Sequence, residues 1–381
     1  MPTLEVKIAE LLTKTQAGPV FGPGVAFKAM SDADTQAMLD RIARIGTELQ
    51  KQLEDCLKRG LPDLPAAAVA ARARAIVAKA SCFVAALAPE LRDTKRLTQA
   101  ALAIGLMYAA DEGMDRGDRA MQLAVEQAYD NNAPKTPPPL KQKVANRMHL
   151  LDDMRTTILG FSRPEDGEFV FSCYSDAVLR NEAALQRLSE AYRQQTTTDQ
   201  KNAFLANHAT ELATRMVEDA GVQSVTASLE TQYPQAGKQP PSLPHLHKNP
   251  KIAKLIQIAN AVARVADEWG DRTMDAGTNP EKGVFSINLF NQYHEEMVAT
   301  VCRLAHLTAA DTIAALQHAT QIQDGAFVTE TFFAHVRSYI DALPADFRKQ
   351  HNRYIVLTMR VLEISHVNMQ GDIALSGETN P

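Results

Sequence analysis

The stretch 252–277, IAKLIQIANAVARVADEWGDRTMDAG, constrains the fold of this chain more than any other. Its second half carries Asp267, Asp271 and Asp275 at a spacing of i, i+4, i+8, so the three carboxylates share one face of a helix. Like charges at this spacing destabilise a helix, so an acidic row that continues an apolar stripe indicates either a cation site or a solvated helix end. The apolar stripe before it recurs at helical spacing and predicts a buried face: Ile252, Leu255, Ile256, Ala259, Val262, Ala263 and Ala266.

A second acidic motif, DEGMD over 111–115, repeats the pattern Asp-Glu-x-x-Asp-Arg that begins at Asp267. It also follows an apolar helical run, over 97–110. Two apolar helices that each end in paired carboxylates can face each other across a cavity. Such carboxylates suit Mg²⁺, a hard ion that is held by few carboxylates together with waters and phosphates. Asp111 and Asp115 of the first motif therefore join the three aspartates of the second as candidate ligands, whereas Asp118 is interpreted as a solvated charge.

Composition excludes several classes of protein. The 40 Lys and Arg nearly balance the 45 Asp and Glu, so no basic footprint indicates binding to nucleic acid. The four cysteines form no CxxC pair and are interpreted as reduced thiols of a cytoplasmic protein. The N-terminus has charges inside its apolar stretch, so it does not resemble a secretory signal. No run approaches 18 apolar residues, so we expect no membrane span.

Helical patterns cover most of the chain, and two Pro-rich loops over 131–140 and 233–250 separate them. A short run over 168–174 is the only strand-like stretch, and its periodicity also fits the start of a buried helix. We therefore predict an all-α protein with one domain over 31–365, a segment over 1–30 as a candidate cap for the site, and a loose tail over 366–381. The predicted helices span 32–59, 65–88, 94–129 (as one or two helices), 141–159, 176–194, 198–230, 309–320, 325–342 and 354–365. A further run covers 286–305.

The order of these features resembles the class I terpene synthases, especially the microbial single-domain kind. DEGMD is similar to their aspartate-rich motif, with Glu112 in place of the usual second Asp. The stretch from Arg264 to Asp275 is similar to their second metal motif, Arg-x-x-(Asn/Asp)-Asp-x-x-(Ser/Thr)-x-x-x-Glu. The segments 242–251 and 286–291 resemble the family's flanking loops, and the Arg353-Tyr354 pair resembles a later Arg-Tyr pair.

The resemblance implies a helical bundle with a central active-site cavity that binds three Mg²⁺ ions together with a linear prenyl diphosphate. It further implies that Arg215, Arg264, Arg353 and Tyr354 bind the diphosphate, and that all of these except Arg264 also act in catalysis. The substrate would ionise to diphosphate and an allylic carbocation, which then cyclises to a terpene. A C15 substrate is favoured over C10 or C20, and the protein is expected to be a monomer or a homodimer.

Two departures from the family keep other functions open. Asp271 stands where the family has Ser or Thr, and Asp275 stands where it usually has Glu. An all-Asp motif is more similar to the second Asp-rich motif of chain-elongating prenyltransferases, which share this fold. A third hypothesis is a non-catalytic helical scaffold whose acidic helix ends bind a partner or nothing.

Overall fold

We describe the protein from a computed structural model, which gives residues 32–88, 91, 93–129, 135–233, 241–273, 286–307 and 325–369. The predicted cap, the predicted helix over 309–320 and most of the predicted tail lie outside the described residues. The side chains of Asp115 and Asp271 and the whole of Asp275 also lie outside them.

All regular elements among the described residues are helical, which confirms the all-α prediction. No helix in this part of the chain is both long and apolar enough to cross a membrane. In chain order the helices are α1 (Asp32–Gly60), α2 (Ala66–Leu87), α3 (Thr94–Asp115), α4 (Arg119–Tyr129), α5 (Lys141–Phe161), α6 (Pro164–Ser172), α7 (Arg180–Arg193), α8 (Thr198–Asp219), α9 (Val222–Glu230), α10 (Leu243–His247), α11 (Pro250–Thr273), α12 (Glu295–Leu304), α13 (Gly325–Ala342), α14 (Ala345–Gln350) and α15 (Asn352–Met369).

Several predicted boundaries differ from the structure. The predicted helix over 198–230 is two helices, because Gly221 adopts a φ of 71°, a left-handed conformation that glycine reaches without strain. Within the run over 286–305 a helix begins only at Glu295, and residues 286–294 form a loop and turns. The Pro-rich loop contains a 3₁₀ turn, Pro138–Leu140, because proline is tolerated in a first helical turn.

The strand-like run over 168–174 is helical, and it leads into an unusual segment. Cys173–Leu179 forms a π-helix between α6 and α7, with Tyr174 fully buried. Turns of this kind are rare and are frequent at functional sites. The segment packs against α3, α8 and α9, so it lies in the interior of the bundle.

α11 buries the face that the sequence predicts. Every apolar residue of the predicted stripe, from Ile252 to Ala266, is buried, and Ile252 and Leu255 have no accessible surface. Burying one such side chain contributes about 2 kcal/mol to folding. α11 packs against α8, α9, α12, α13 and α15, which makes it a central helix of the bundle.

α3 and α11 run in the same direction, which determines where their acidic ends lie. Arg96, near the start of α3, donates to the carbonyl of Gln232 just after α9, at 2.8 Å. Tyr354, at the start of α15, contacts His247 just before α11, and Arg353 pairs with Glu230 of α9. The starts of α3, α11 and α15 therefore share one end of the bundle, called here the opposite end. The carboxyl ends of α3 and α11, with their aspartates, form what we call the acidic end.

Candidate active site

The two acidic motifs meet at the acidic end. Burial raises the pKa of the Tyr108 phenol well above its usual range, and the carboxylates of Asp111 and Asp267 raise it further. The same two carboxylates also contribute to a raised pKa at Asp219. Asp111 and Asp267 are distant in the sequence, so their joint influence on two other side chains shows that the fold brings them together. Asp111 is half-buried and Asp267 is exposed.

Arg264 is the cation at the centre of this group. Its Nη1 atom donates to Asp219 Oδ2 at 3.2 Å and to Asp267 Oδ2 at 3.1 Å, and its Nη2 atom pairs with Glu268. Burial alone would lower the pKa of Arg264, but the surrounding carboxylates hold that pKa well above its usual value. Arg264 therefore keeps its charge and orders three acids around it.

Asp219 and Glu182 belong to the same group, and sequence reasoning did not identify either of them. Burial raises the pKa of Asp219 well above its usual range, with a further contribution from Glu182. Its Oδ1 atom is buried and has no hydrogen-bond partner. Asp219 lies one helical turn after Arg215, a spacing visible in the sequence, whereas no pattern marks Glu182.

The structure brings Arg215 to the acidic end as well. Its Nε atom donates to Glu211 at 2.9 Å, and its Nη1 atom donates to Asn181 Oδ1 at 3.3 Å. Asn181 immediately precedes Glu182, so the guanidinium lies beside the acidic group. About a third of the Arg215 side chain is exposed, so the guanidinium can reach an incoming anion.

Two other acids of the first motif have structural partners. Glu112 forms ion pairs of 2.8 Å with both Arg72 and Arg116. Asp118 accepts hydrogen bonds from the amides of Ala120 and Met121 at the start of α4, and it pairs with the buried Arg147 at 2.8 Å. Asp118 is thus a helix cap and not the solvated charge that the sequence suggested.

The loop after the second motif is attached to α11 through Glu268. This carboxylate is buried and accepts from the amide of Leu289 at 2.6 Å. Asn288 is also buried, and its Nδ2 atom donates to the Glu268 carbonyl at 2.7 Å. The segment 286–291, noted in the sequence, therefore fixes the position of the acidic end of α11.

The structure places Arg353 and Tyr354 at the opposite end, away from the other predicted site residues. The Arg353 guanidinium pairs with Glu230, with Nε–O distances of 2.8 and 3.0 Å, and lies 4.9 Å from the centre of the Tyr233 ring. The Tyr354 hydroxyl lies 2.5 Å from His247 Nε2. Asp267 is near the far end of α11, about 25 Å away at 1.5 Å per helical residue. In this arrangement neither residue can donate to an anion held at the acidic end, which differs from the predicted role.

The described side chains fit Mg²⁺ in chemistry and number. Asp111 and Asp267 supply hard carboxylate oxygens, and Mg²⁺ sites often use only one or two carboxylates and take their other ligands from water and phosphate. The described side chains do not assemble a ready-made group of three or more metal-ligating residues.

The helices have the arrangement of the all-α class I terpene synthase fold. The chain is similar to 2-methylisoborneol synthase from Streptomyces coelicolor A3(2), whose crystal structure was solved in complex with Mg²⁺ and geranyl-S-thiolodiphosphate. The TM-score is 0.50 at 11% sequence identity, and the match covers 92% of this chain and 95% of that one. No protein-family model matches the sequence. No curated protein matches it either. The similarity in structure therefore concerns the fold, while the site is defined by the chain's own residues.

Proposed function

We propose that this protein is a Mg²⁺-dependent class I terpene synthase, a lyase that converts a linear prenyl diphosphate into diphosphate and a cyclic terpene. One observation carries the proposal: the Asp111 and Asp267 carboxylates both raise the pKa of Tyr108 and the pKa of Asp219. The two acidic motifs therefore act on the same two side chains. The structural similarity to a synthase that binds Mg²⁺ and a prenyl diphosphate analogue supports it. A C15 substrate is favoured, with C10 and C20 as the other candidates.

Asp111 and Asp267 would hold the metal, with Asp115, Asp271 and Asp275 as further candidate ligands for a set of three ions. Bound Mg²⁺ would supply Lewis-acid stabilisation of the charge that builds on the leaving diphosphate. Arg215, which donates to Asn181 beside the acidic group, would donate charge-assisted hydrogen bonds to the same oxygens. Arg264 contributes a permanent positive charge and keeps the Asp267 carboxylate in place.

Residues below the acidic end would protect the carbocation. Buried apolar side chains of α3 and α11 exclude bulk water, which strengthens electrostatic interactions and prevents early quenching. The Tyr108 ring lies one helical turn before Asp111, where its face can attract a cation. The high pKa of its hydroxyl keeps this ring neutral at physiological pH.

The direct test is the release of diphosphate from C10, C15 and C20 prenyl diphosphates, with Mg²⁺ and with a chelator. We expect release and a cyclic product with at least one substrate, and loss of both with the chelator or in Asp267→Ala. Asp152→Ala is a matched control, because Asp152 is an exposed aspartate within a different helix, α5. The absence of Mg²⁺-dependent release from all three substrates, both without and with isopentenyl diphosphate, would leave only the scaffold hypothesis.

The prenyltransferase hypothesis rests on the all-Asp spacing of Asp267, Asp271 and Asp275. It is tested by adding isopentenyl diphosphate to each reaction. A longer prenyl diphosphate that forms only with both substrates would favour chain elongation over cyclisation. Cyclic products that are independent of isopentenyl diphosphate would favour the synthase.

A further inference from the structure

Arg72, near the start of α2, donates two hydrogen bonds to the acidic end of α3. Its Nε atom donates to Glu112 Oε2 at 2.8 Å, and its Nη2 atom donates to the carbonyl of Ala109 at 3.0 Å. Only 13% of the Arg72 side chain is exposed, so water screens these charge-assisted bonds little. The two acceptors lie on either side of Asp111 in the chain. The turn that carries Asp111 therefore cannot rotate without breaking one of the two bonds.

Glu112 has an arginine on each of its carboxylate oxygens. Oε2 accepts from Arg72, and Oε1 pairs with Arg116 Nη2 at 2.8 Å. Successive residues of a helix differ in direction by about 100°, so Glu112 faces α2 while Asp111 faces another side of α3. Glu112 stands where the class I terpene synthases usually have a second Asp, and its side chain carries the carboxylate one methylene farther from α3. In this arrangement Glu112 binds arginines and is not a metal ligand.

The chain just after the first acidic motif is also fixed in position. The amide of Asp118 donates to the carbonyl of Gly113 at 2.9 Å, and the amide of Gly117 donates to the carbonyl of Met114 at 2.8 Å. Gly117 has a φ of 70°, so this helix end is a Schellman motif with glycine at its left-handed position. Asp118 then caps α4. The acidic end of α3 is therefore ordered without any ligand.

We infer that Arg72 and Glu112 are positioning residues of the metal site. Arg72, through Glu112 and the Ala109 carbonyl, holds Asp111 in the orientation in which it binds Mg²⁺. The inference rests on the proposed function and deepens it. Removing a group that orients a metal ligand typically costs about 10–100-fold in metal affinity or activity. A partly buried ion pair is weak evidence for a role in stability alone, whereas a helix end that carries a metal ligand must be held in place.

The first test measures metal binding and needs no turnover. Mg²⁺ is titrated by calorimetry in the presence of inorganic diphosphate, with the wild type and with Arg72→Met, which keeps an apolar stem and removes the donors. We expect the Mg²⁺ dissociation constant to rise about tenfold in Arg72→Met. Arg163→Met is the matched control, because Arg163 forms a partly buried ion pair with Asp166, at 2.6 Å, at the opposite end. An unchanged constant in Arg72→Met, or an equal rise in Arg163→Met, would overturn the positioning role.

Conservative variants separate position from charge. Arg72→Lys keeps the charge but loses the planar fork, so the Mg²⁺ dissociation constant should lie between those of the wild type and Arg72→Met. Glu112→Asp introduces the residue that the family usually has, but its shorter side chain reaches Arg72 less well. We therefore expect weaker Mg²⁺ binding in Glu112→Asp than in the wild type. Unchanged or tighter binding in Glu112→Asp would contradict the inference. If Arg72→Met does not fold, Arg72→Lys and Glu112→Asp decide the question.

Turnover distinguishes failure of this inference from failure of the proposed function. The Mg²⁺ concentration for half-maximal diphosphate release should rise in Arg72→Met by the same factor as the dissociation constant, and it should not change in Arg163→Met. A purely structural role would lower the free energy of unfolding in both variants and leave this concentration unchanged in both. That result, with diphosphate release by the wild type, would overturn the positioning role and leave the proposed function intact. No Mg²⁺-dependent release by the wild type from any prenyl diphosphate would overturn both.

Discussion

The two ends of α11 hold their charged side chains in contrasting ways. At the opposite end, Arg353 pairs with Glu230, Arg163 pairs with Asp166 at 2.6 Å, and Tyr354 contacts His247. At the acidic end, a single guanidinium, that of Arg264, serves three carboxylates, and Asp219 keeps an oxygen without a partner. Balanced pairs stabilise a fold, whereas an excess of one sign in a partly buried site costs stability. The excess of negative charge at the acidic end is what the proposed metal site requires, whereas the pairs at the opposite end stabilise the fold.

Removal of a carboxylate from the acidic end should have the largest effect. In Asp267→Ala or Asp111→Ala, diphosphate release should fall by about 10³-fold, equivalent to about 4 kcal/mol in the barrier. The free energy of unfolding should stay the same or rise slightly, because like charges are relieved. Steady-state kinetics and urea unfolding measure the two quantities. Full activity in Asp267→Ala would mean that the acidic end takes no part in catalysis.

At the opposite end, acid should destabilise the protein through His247. Burial lowers the pKa of His247 to about 4, below the ordinary value of about 6.5. Between these values the unfolded chain binds the proton and the native protein does not, so stability is lost as pH falls from about 6.5 to about 4. We expect a loss of roughly 2–3 kcal/mol from this residue, measured by urea unfolding across that range. His247→Gln should show a shallower loss, and His245→Gln, at an exposed neighbour, should match the wild type. Parallel curves for all three proteins would contradict the assignment.

Asp118 tests whether nearby acids can have opposite roles. Because it caps α4 and pairs with Arg147, Asp118→Ala should lower the free energy of unfolding by about 1–2 kcal/mol. Diphosphate release per folded molecule should remain unchanged. This is the reverse of the result expected for Asp111→Ala. A loss of activity without a loss of stability would mean that Asp118 belongs to the active site and is not only a helix cap.

The smallest expected effect is on ligand-induced stabilisation, and it distinguishes Arg215 from Arg353. Mg²⁺ and diphosphate together should raise the melting temperature more than the sum of their separate effects, because each completes the site for the other. Arg215→Ala should reduce this excess by the equivalent of about 1 kcal/mol, since a charge-assisted donor is lost. Arg353→Ala should lower the starting melting temperature and leave the excess intact. If Arg353→Ala reduces the excess instead, its placement at the opposite end is wrong for the liganded protein.

Much of the fold could be predicted because helical periodicity is a local signal. The buried stripe of α11 from Ile252 to Ala266 agrees residue by residue, and the predicted bounds of α13 are those observed. Errors occurred where a single residue changed the path of the chain. Gly221, for example, divides a helical pattern that otherwise continues.

The candidate site could be predicted only in part. Asp111 and Asp267 stand in a repeated motif, so the sequence identifies them without knowledge of distance. Asp219 and Glu182 occur in ordinary helical patterns, and only packing brings them near that motif. Arg353 matches a motif in sequence, but its partner Glu230 lies on a distant helix. A match to a sequence motif does not indicate at which end of the bundle the matched residues lie.

The position of α7 depends on the number of residues in the π-helical segment that precedes it. Deleting one residue within Cys173–Leu179 would allow a regular α-helix and would turn everything downstream by about 100° with a shift of about 1.5 Å. Asn181 and Glu182 would then rotate away from Arg215 and Asp219. Substitutions in α7 therefore preserve the geometry more readily than a single insertion or deletion does. Two chains with the same helices but a different residue count in this segment would superpose well in their backbones while their sequences fall out of register.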